Sequence, residues 1–303
     1  QGYAENVASP RELPMLDLVL GVSDSEQWHQ SNIERNRSHY SGLARLLGAG
    51  GVAKLQEGFG AKMYYNALVP MPTTSHHGRP MKYGVVSMEH LRADLEDWTW
   101  LYAAGRLHKP VRVIQESSQA APMVAENLVS ALKAALLLLP ETFTRQELYA
   151  AIAGLSYIGD FRMYFGENPQ KVNNIVSNTL GTFQELYAPA IESIPGLTAM
   201  AHDSSKYGQD TSPGARAALV KALPRTVRGH LPAEPISSAP FYPFPAHTGV
   251  PTAEGMARAL AAVVSRSSLR QGAKGVLTAG FVKSASYSIA KITQAIKGRR
   301  KSH

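Results

Sequence analysis

Apolar positions change their spacing along this chain. Before about residue 118 they gather in short runs, and after Pro122 they recur at helical intervals. Met15 to Val22 is an apolar run interrupted by Asp17 and closed by Ser23-Asp24-Ser25-Glu26, the pattern of a buried strand leading into a capped helix. Met63 to Val69 and Met81 to Ser87 read as two further strands, joined as a hairpin by a turn-rich loop from Pro72 to Pro80 that holds His76 and His77. Ser87 and His90 bracket the start of a helix carrying Glu89, Leu91, Leu95 and Trp98, and Val111 to Ile114 reads as a fourth strand. Residues 1–118 are therefore expected to form one α/β unit.

From Pro122 a leucine-rich helix runs to Leu139, Thr144 and Glu147 have the spacing of a capping box, and a polar helix is expected from Lys171 to Tyr187. Residues 119–231 are thus expected to be a mostly helical domain. Prolines crowd 232–251, which reads as an extended linker, and 252–303 follows as a separate basic segment. In that segment Phe281, Ala285, Ile289, Ile292 and Ile296 share one helical face while Lys283, Lys291 and Lys297 lie off it, so an amphipathic helix is expected. The longest unbroken apolar run of the leucine-rich stretch, Ala134 to Leu139, falls well short of the roughly 20 residues a bilayer span needs.

Charge sharpens this division. The net charge is +8, yet Glu254 is the last acid and ten bases follow it, leaving 21 bases against 23 acids before. All the excess is in the tail, which points to one docking surface for an anionic partner, bilayer or nucleic acid. On a bilayer an amphipathic basic helix lies in the interface, and each cation adds about 1 kcal/mol. The absence of cysteine excludes disulfides, thiol catalysis and Cys-based zinc sites. The histidines show no His-Glu-x-x-His spacing, Gly154 to Gly159 is not a nucleophile elbow, and Gly48 to Ala53, loosely like a dinucleotide fingerprint, reads as a loop. Ser267 to Gly275 mixes hydroxyls, cations and glycines, including Ser268, Arg270 and Lys274, a composition suited to a phosphate group.

Two acids stand out. A carboxylate amid an apolar strand is costly unless paired or metal-bound, which singles out Asp17. Asp160, in Gly159-Asp160-Phe161-Arg162, is either half of an Asp-Arg pair or a second ligand. Two such acids converging from separate domains would suit Mg²⁺, which takes few protein oxygens and shares the rest with substrate phosphates.

Several stretches then match one family in order: Met15 to Val22, Trp28-His29, Asn36-Arg37-Ser38-His39-Tyr40-Ser41, Lys82 to Ser87, Ala104 to Val111, Leu155 to Arg162 and Ser267 to Gly280. On these residues the chain resembles the mitochondrial CDP-diacylglycerol synthases, also called translocator assembly and maintenance proteins, with the Pro-rich region and the polar stretch before it unmatched. The resemblance implies a polymerase-β-like nucleotidyltransferase domain, a mostly helical winged-helix-like domain and a C-terminal amphipathic helix, held peripherally at the matrix side of the mitochondrial inner membrane. It also implies Mg²⁺ and transfer of CMP from CTP to phosphatidic acid, releasing pyrophosphate, for cardiolipin synthesis. Asp17 and Asp160 are the expected metal and catalytic residues, Lys82, Arg106 and Lys109 are expected by their charge around the triphosphate, and Tyr40 and Ser41, in a matched stretch, are expected at the nucleotide. Ser268, Arg270 and Lys274 are expected to bind phosphatidate, and Phe281, Ile289, Ile292, Ile296, Lys297, Arg299 and Arg300 to meet the anionic membrane surface. The family's Tyr-Gly-Ser-Gly-Val motif, whose Gly-Ser loop holds the phosphates, falls just ahead of Gln1, so activity is expected with that loop restored. Wider nucleotidyltransferases carry a second acid two residues after the strand Asp, where this chain has Val19.

Phosphatidate is a phosphate monoester with a second pKa near ~6, so it arrives largely ionised and needs no general base. Two other classes fit parts of the pattern. One is a non-catalytic membrane-docked scaffold for translocator maintenance. The other is a winged-helix nucleic-acid binder; an apolar stripe without aromatic stacking platforms speaks against nucleic acid as a partner.

Overall fold

The computed structural model describes residues 15–71, 78–165, 170–231 and 251–279. Two compact units emerge: one of residues up to Leu91 together with the stretch from Arg270, the other of Arg92–Leu269. The architecture is mixed α/β.

In the first unit β1 (Leu16–Val22), α1 (Ser25–Arg35), α2 (Gly42–Gly58), β2 (Met63–Pro70), β3 (Pro80–Ser87) and the start of α3 (Met88–Asp97) surround a three-stranded sheet of order β1-β3-β2. The hairpin expectation holds, with β2 and β3 antiparallel, and β1 joins β3 in parallel. Asp24 caps α1 by accepting from the Gln27 amide, and Ser87 accepts from the His90 amide at the start of α3. Val22, Val69, Tyr83 and Val85 form one apolar cluster and Tyr40, Ala44, Val52 and Tyr64 another. Gly48 to Ala53 is not a loop: it lies inside α2, whose only non-helical residue is Gly48 at φ 65°. That left-handed conformation is one glycine adopts at little cost.

The second unit is built on α5 (Ala120–Leu138). This helix is long and apolar enough to cross a membrane by length and composition, but Leu128, Ala131, Leu132, Ala135 and Leu136 are buried in the unit's own core. Against it pack α4 (Ala104–Leu107), α6 (Arg145–Gly154), α9 (Leu180–Glu192) and α10 (Pro213–Lys221), with α8 (Lys171–Asn178) on α6; α7 (Arg162–Phe165), α11 (Arg225–Gly229) and the first part of α12 (Pro251–Ala279) belong to the same unit. The Thr144–Glu147 capping box is present at the start of α6. Tyr149 and Phe183 stack at 5.2 Å between α6 and α9.

A second small antiparallel sheet, β4 (Thr142–Thr144), β6 (Asp203–Gly208) and β5 (Thr198–Met200) in that order, was not expected from the sequence. Just beyond it, the Gln209 amide donates to the carbonyls of Leu136, Leu139 and Pro140, satisfying acceptors that the end of α5 leaves open.

Other expectations need correction. Val111 to Ile114 is not a strand but an irregular segment with Val111, Val113 and Ile114 exposed, because a short apolar run becomes a strand only where a partner edge is offered. The helix expected over Lys171 to Tyr187 is two helices, α8 and α9, divided at Thr179. The boundary expected at 118 lies instead near Leu91. Residues 92–118 are tied to α5 by the Trp98 Nε1 and His108 Nε2 bonds to Asn127 Oδ1 (2.8 and 3.1 Å). Pro251, placed in the linker, opens α12; 232–250 and the expected membrane helix from Phe281 to Lys301 lie outside the described residues, as do His76 and His77.

Candidate functional site

In the first unit, the β1–β3 register sets Asp17 opposite Lys82, and their side chains form an ion pair of 2.6 Å. Two residues selected for different roles thus meet. Lys82 also lies 4.9 Å from the centre of the Tyr65 ring. Asp17 is not a buried intruder: β1 is one of the two edge strands of this sheet among the described residues, and the Asp17 side chain is 46% exposed against 15% for Lys82. The pair therefore presents a hard oxygen ligand and a held cation side by side at an accessible sheet edge.

Tyr40 and Ser41 belong to the interior framework. Gln56 Nε2 donates to Ser25 Oγ (2.8 Å), so its Oε1 accepts from His29 Nε2 (2.9 Å) and His29 Nδ1 accepts the Tyr40 hydroxyl proton (2.8 Å). Burial lowers the His29 pKa, which favours this neutral ring. Asn32 Nδ2 donates to the Tyr40 and Tyr83 oxygens (both 2.9 Å), and the Tyr83 hydroxyl is hydrogen-bonded to His39 Nδ1 (2.7 Å). Burial pushes the Tyr40 hydroxyl up to about 12. The Ser41 hydroxyl caps α2 by accepting from the Ala44 amide (3.3 Å).

The Ser267 to Gly275 stretch is helical, part of α12, and the phosphatidate candidates do not converge. Ser268 is buried and donates to the Ser265 carbonyl, Arg270 is exposed, and Lys274 is buried with its ammonium on the carbonyls of Gln56 and Met63 (3.0 and 3.3 Å). Gln271 completes this plug, donating to Met63 O and accepting from the Ala61 amide. A helix sends successive side chains about 100° apart, so a polar composition that suits a loop is here split between inside and outside.

The second unit holds a cluster of cations. The Asp94 carboxylate accepts the backbone N–H groups of Trp100, Tyr102, Ala103 and Ala104 at 2.7 to 3.1 Å, fixing the turn that leads into α4. From α4 and the residues after it come Arg106, with its guanidinium 3.9 Å from the Tyr102 ring centre, and Lys109, bonded to the Gly105 carbonyl and to Ser156 Oγ (3.1 Å). Lys109 and Lys171 lie 5.0 and 4.9 Å from the centre of the same Tyr157 ring. Burial, then the charges of Arg106 and Lys171, lower the Lys109 pKa to about 7. The close approach depends on Gly105: a Cβ there would sit 2.2 Å from Ser156 Cβ.

Asp160 is the acid beside this cluster, and Arg162 occupies it. The guanidinium spans both carboxylate oxygens, with Nε at 3.0 and 3.1 Å and Nη2 at 2.5 Å, and the Arg162 amide adds a bond at 3.0 Å. Burial alone would depress the guanidinium, but Asp160 outweighs it and holds Arg162 above its usual range. Of the two readings open for Asp160, the geometry is that of the Asp-Arg pair. Among the described residues no group of three His, Asp or Glu side chains is gathered for a metal.

Sequence reasoning passed over Asp94, Asn127, Ser156, Tyr157 and Lys171. None has a distinguishing spacing: Asp94 serves a local turn six to ten residues on, and the others act through contacts with residues far along the chain. Only the Leu155 to Arg162 stretch, quoted for its glycines and Asp160, pointed near Ser156 and Tyr157.

Comparison with known proteins adds the family. A family model described as phosphatidate cytidylyltransferase, mitochondrial, matches residues 2–294. Proteins of that name are similar along most of their length: the Xenopus laevis protein is 40% identical over 294 residues, 95% of this chain and 85% of the relative. The Drosophila melanogaster protein is 40% identical over 309 residues (96% and 89%), and the Mus musculus protein 38% over 295 (95% and 86%). With the match spanning both units, this chain belongs to the mitochondrial phosphatidate cytidylyltransferase family.

Proposed function

We propose that this protein is a phosphatidate cytidylyltransferase: a phosphate oxygen of phosphatidic acid attacks the α-phosphorus of CTP, and the bond to the β-phosphate breaks to release pyrophosphate and leave CDP-diacylglycerol. The observation that carries this reading is the family match across nearly the whole chain. The cationic cluster of Arg106, Lys109 and Lys171 supports it, because Asp160, the acid described beside these cations, is already paired with Arg162. Such a cluster suits triphosphate oxygens, and the catalytic task is chiefly to offset charge between two anions and hold them in line.

For Mg²⁺ the donor chemistry fits at Asp17, a hard carboxylate at an exposed edge with Lys82 beside it to steady a phosphate. Asp160 fits poorly, both its oxygens being held by Arg162. A divalent ion bound at Asp17 would neutralise phosphate charge. The first unit we read as nucleotidyltransferase-like and the second, with its small three-stranded sheet among helices, as winged-helix-like. We place the protein peripherally at the matrix side of the inner membrane.

The test is direct. Labelled CTP, phosphatidate and Mg²⁺ are incubated with the chain carrying the N-terminal Gly-Ser loop, and the lipid phase is scored for cytidine. Label in lipid supports the reaction; a folded, membrane-bound protein that leaves the lipid unlabelled is a scaffold instead.

A further inference from the structure

Three leucines at the start of α2 have no core to fill. Leu43, Leu46 and Leu47 are 49%, 84% and 45% exposed, within the short stub that precedes the break at Gly48. The stub's inward contact is already supplied by Ala44, which packs with Tyr40, Val52 and Tyr64. Single exposed leucines are ordinary on a protein surface, whereas neighbouring ones mark a contact. Charge distinguishes the same stretch. Along the sequence no acid falls between Glu34 and Glu57, while Arg35, Arg37, Arg45 and Lys54 are all exposed; Glu26 of α1 lies against α2 only beyond the break, at Gly50.

We propose that this face of the first unit is a bilayer-contacting surface, with Leu43, Leu46 and Leu47 entering the interface of an anionic membrane and the neighbouring cations meeting its headgroups. The proposal rests on the phosphatidate-directed reading, since an enzyme whose substrate is a membrane lipid has to reach the bilayer. It concerns a surface separate in sequence from the C-terminal basic segment. Insertion of aliphatic side chains beside cations that reach headgroups is the pattern of interfacial binding. A second copy fits less well, because a two-fold interface would set the same cations against each other. Nucleic acid fits less well too, because leucines offer bases nothing to stack on.

The absence of cysteine makes the test clean. Leu46→Cys, labelled with an environment-sensitive nitrobenzoxadiazole dye, should shift its emission to the blue on phosphatidylcholine vesicles containing phosphatidylglycerol. Lipids spin-labelled near the headgroup should quench it. The same label at exposed Lys221→Cys in the second unit should stay unchanged. Leu46→Ser with Leu47→Ser should lower vesicle partitioning by about tenfold, while transfer to detergent-dispersed phosphatidate stays as in the parent. A label at residue 46 that keeps its buffer spectrum on these vesicles overturns the proposal. So does a blue shift without vesicles that grows with protein concentration, which identifies a second copy. Loss of the transfer reaction with the labelling result intact would unseat the proposed activity and leave the surface standing.

Discussion

Lys109 and Lys171 stand over one tyrosine ring with Arg106 close by, and burial first, then the charges of Arg106 and Lys171, set how Lys109 titrates. With its pKa lowered to about 7, Lys109 is charged below that pH and loses its proton above it. Its help in binding a triphosphate should therefore be present in mild acid and fade as pH rises through neutrality. Lys171→Gln removes one repelling charge, so the Lys109 pKa should rise. The KM for CTP should be higher in the variant, but its increase with pH should begin at higher pH. Profiles from about pH 6 to 9 that run parallel in the two proteins would break the coupling. Asp17 makes a second case. Asp17→Asn keeps the shape of an exposed edge residue but loses the charge, so turnover should fall by at least about a hundredfold with the melting curve little changed. An active Asp17→Asn protein would remove Asp17 from the mechanism. Lys274 answers to stability instead. Burial, and then Lys62, lower its pKa from 10.5 to about 7, so between those values the unfolded chain binds more protons than the folded one. Stability should then rise with pH across that window, Lys109 contributing in the same direction, and Lys274→Met should flatten the slope of the urea midpoint against pH.

At the scale of elements, glycines separate close contact from open surface. Gly105→Ala drives a Cβ into Ser156 and should force α4 away from the turn Leu155–Tyr157, costing about 1–3 kcal/mol and weakening CTP binding through Lys109. Gly181→Ala in α9 meets no atom within 4 Å and should instead stabilise by about 0.5–1 kcal/mol, as helix propensity predicts. Urea midpoints of the two variants should move in opposite directions. The elements legible beforehand were those with local signals: the β2–β3 hairpin, the Thr144–Glu147 capping box, the Ser87 start of α3 and the leucine-rich α5. The exposed edge at Asp17, the helical state of Ser267 to Gly275 and the short strands β4 to β6 were not. Each depends on which distant segment packs alongside, and local spacing carries no record of that.

At the scale of the molecule, charge is divided along the chain, with ten bases and no acid after Glu254. Removal of residues 281–303 should lower vesicle binding while cytidylyl transfer to detergent-solubilised phosphatidate persists. Loss of both would mean that the segment also serves the active site. By itself the sequence determined the α/β class, the family and the charged tail, and singled out Asp17, Lys82, Arg106 and Lys109 as candidates, because composition and ordered motifs are written locally. Only the tertiary structure decided that Asp17 lies exposed against Lys82, that Asp160 is taken by Arg162, that Lys274 is a buried plug, and that Lys171 joins Lys109 on Tyr157. Burial and pairing are properties of a neighbourhood assembled from remote segments, and a side chain's charge acquires its role from what surrounds it once the chain has folded.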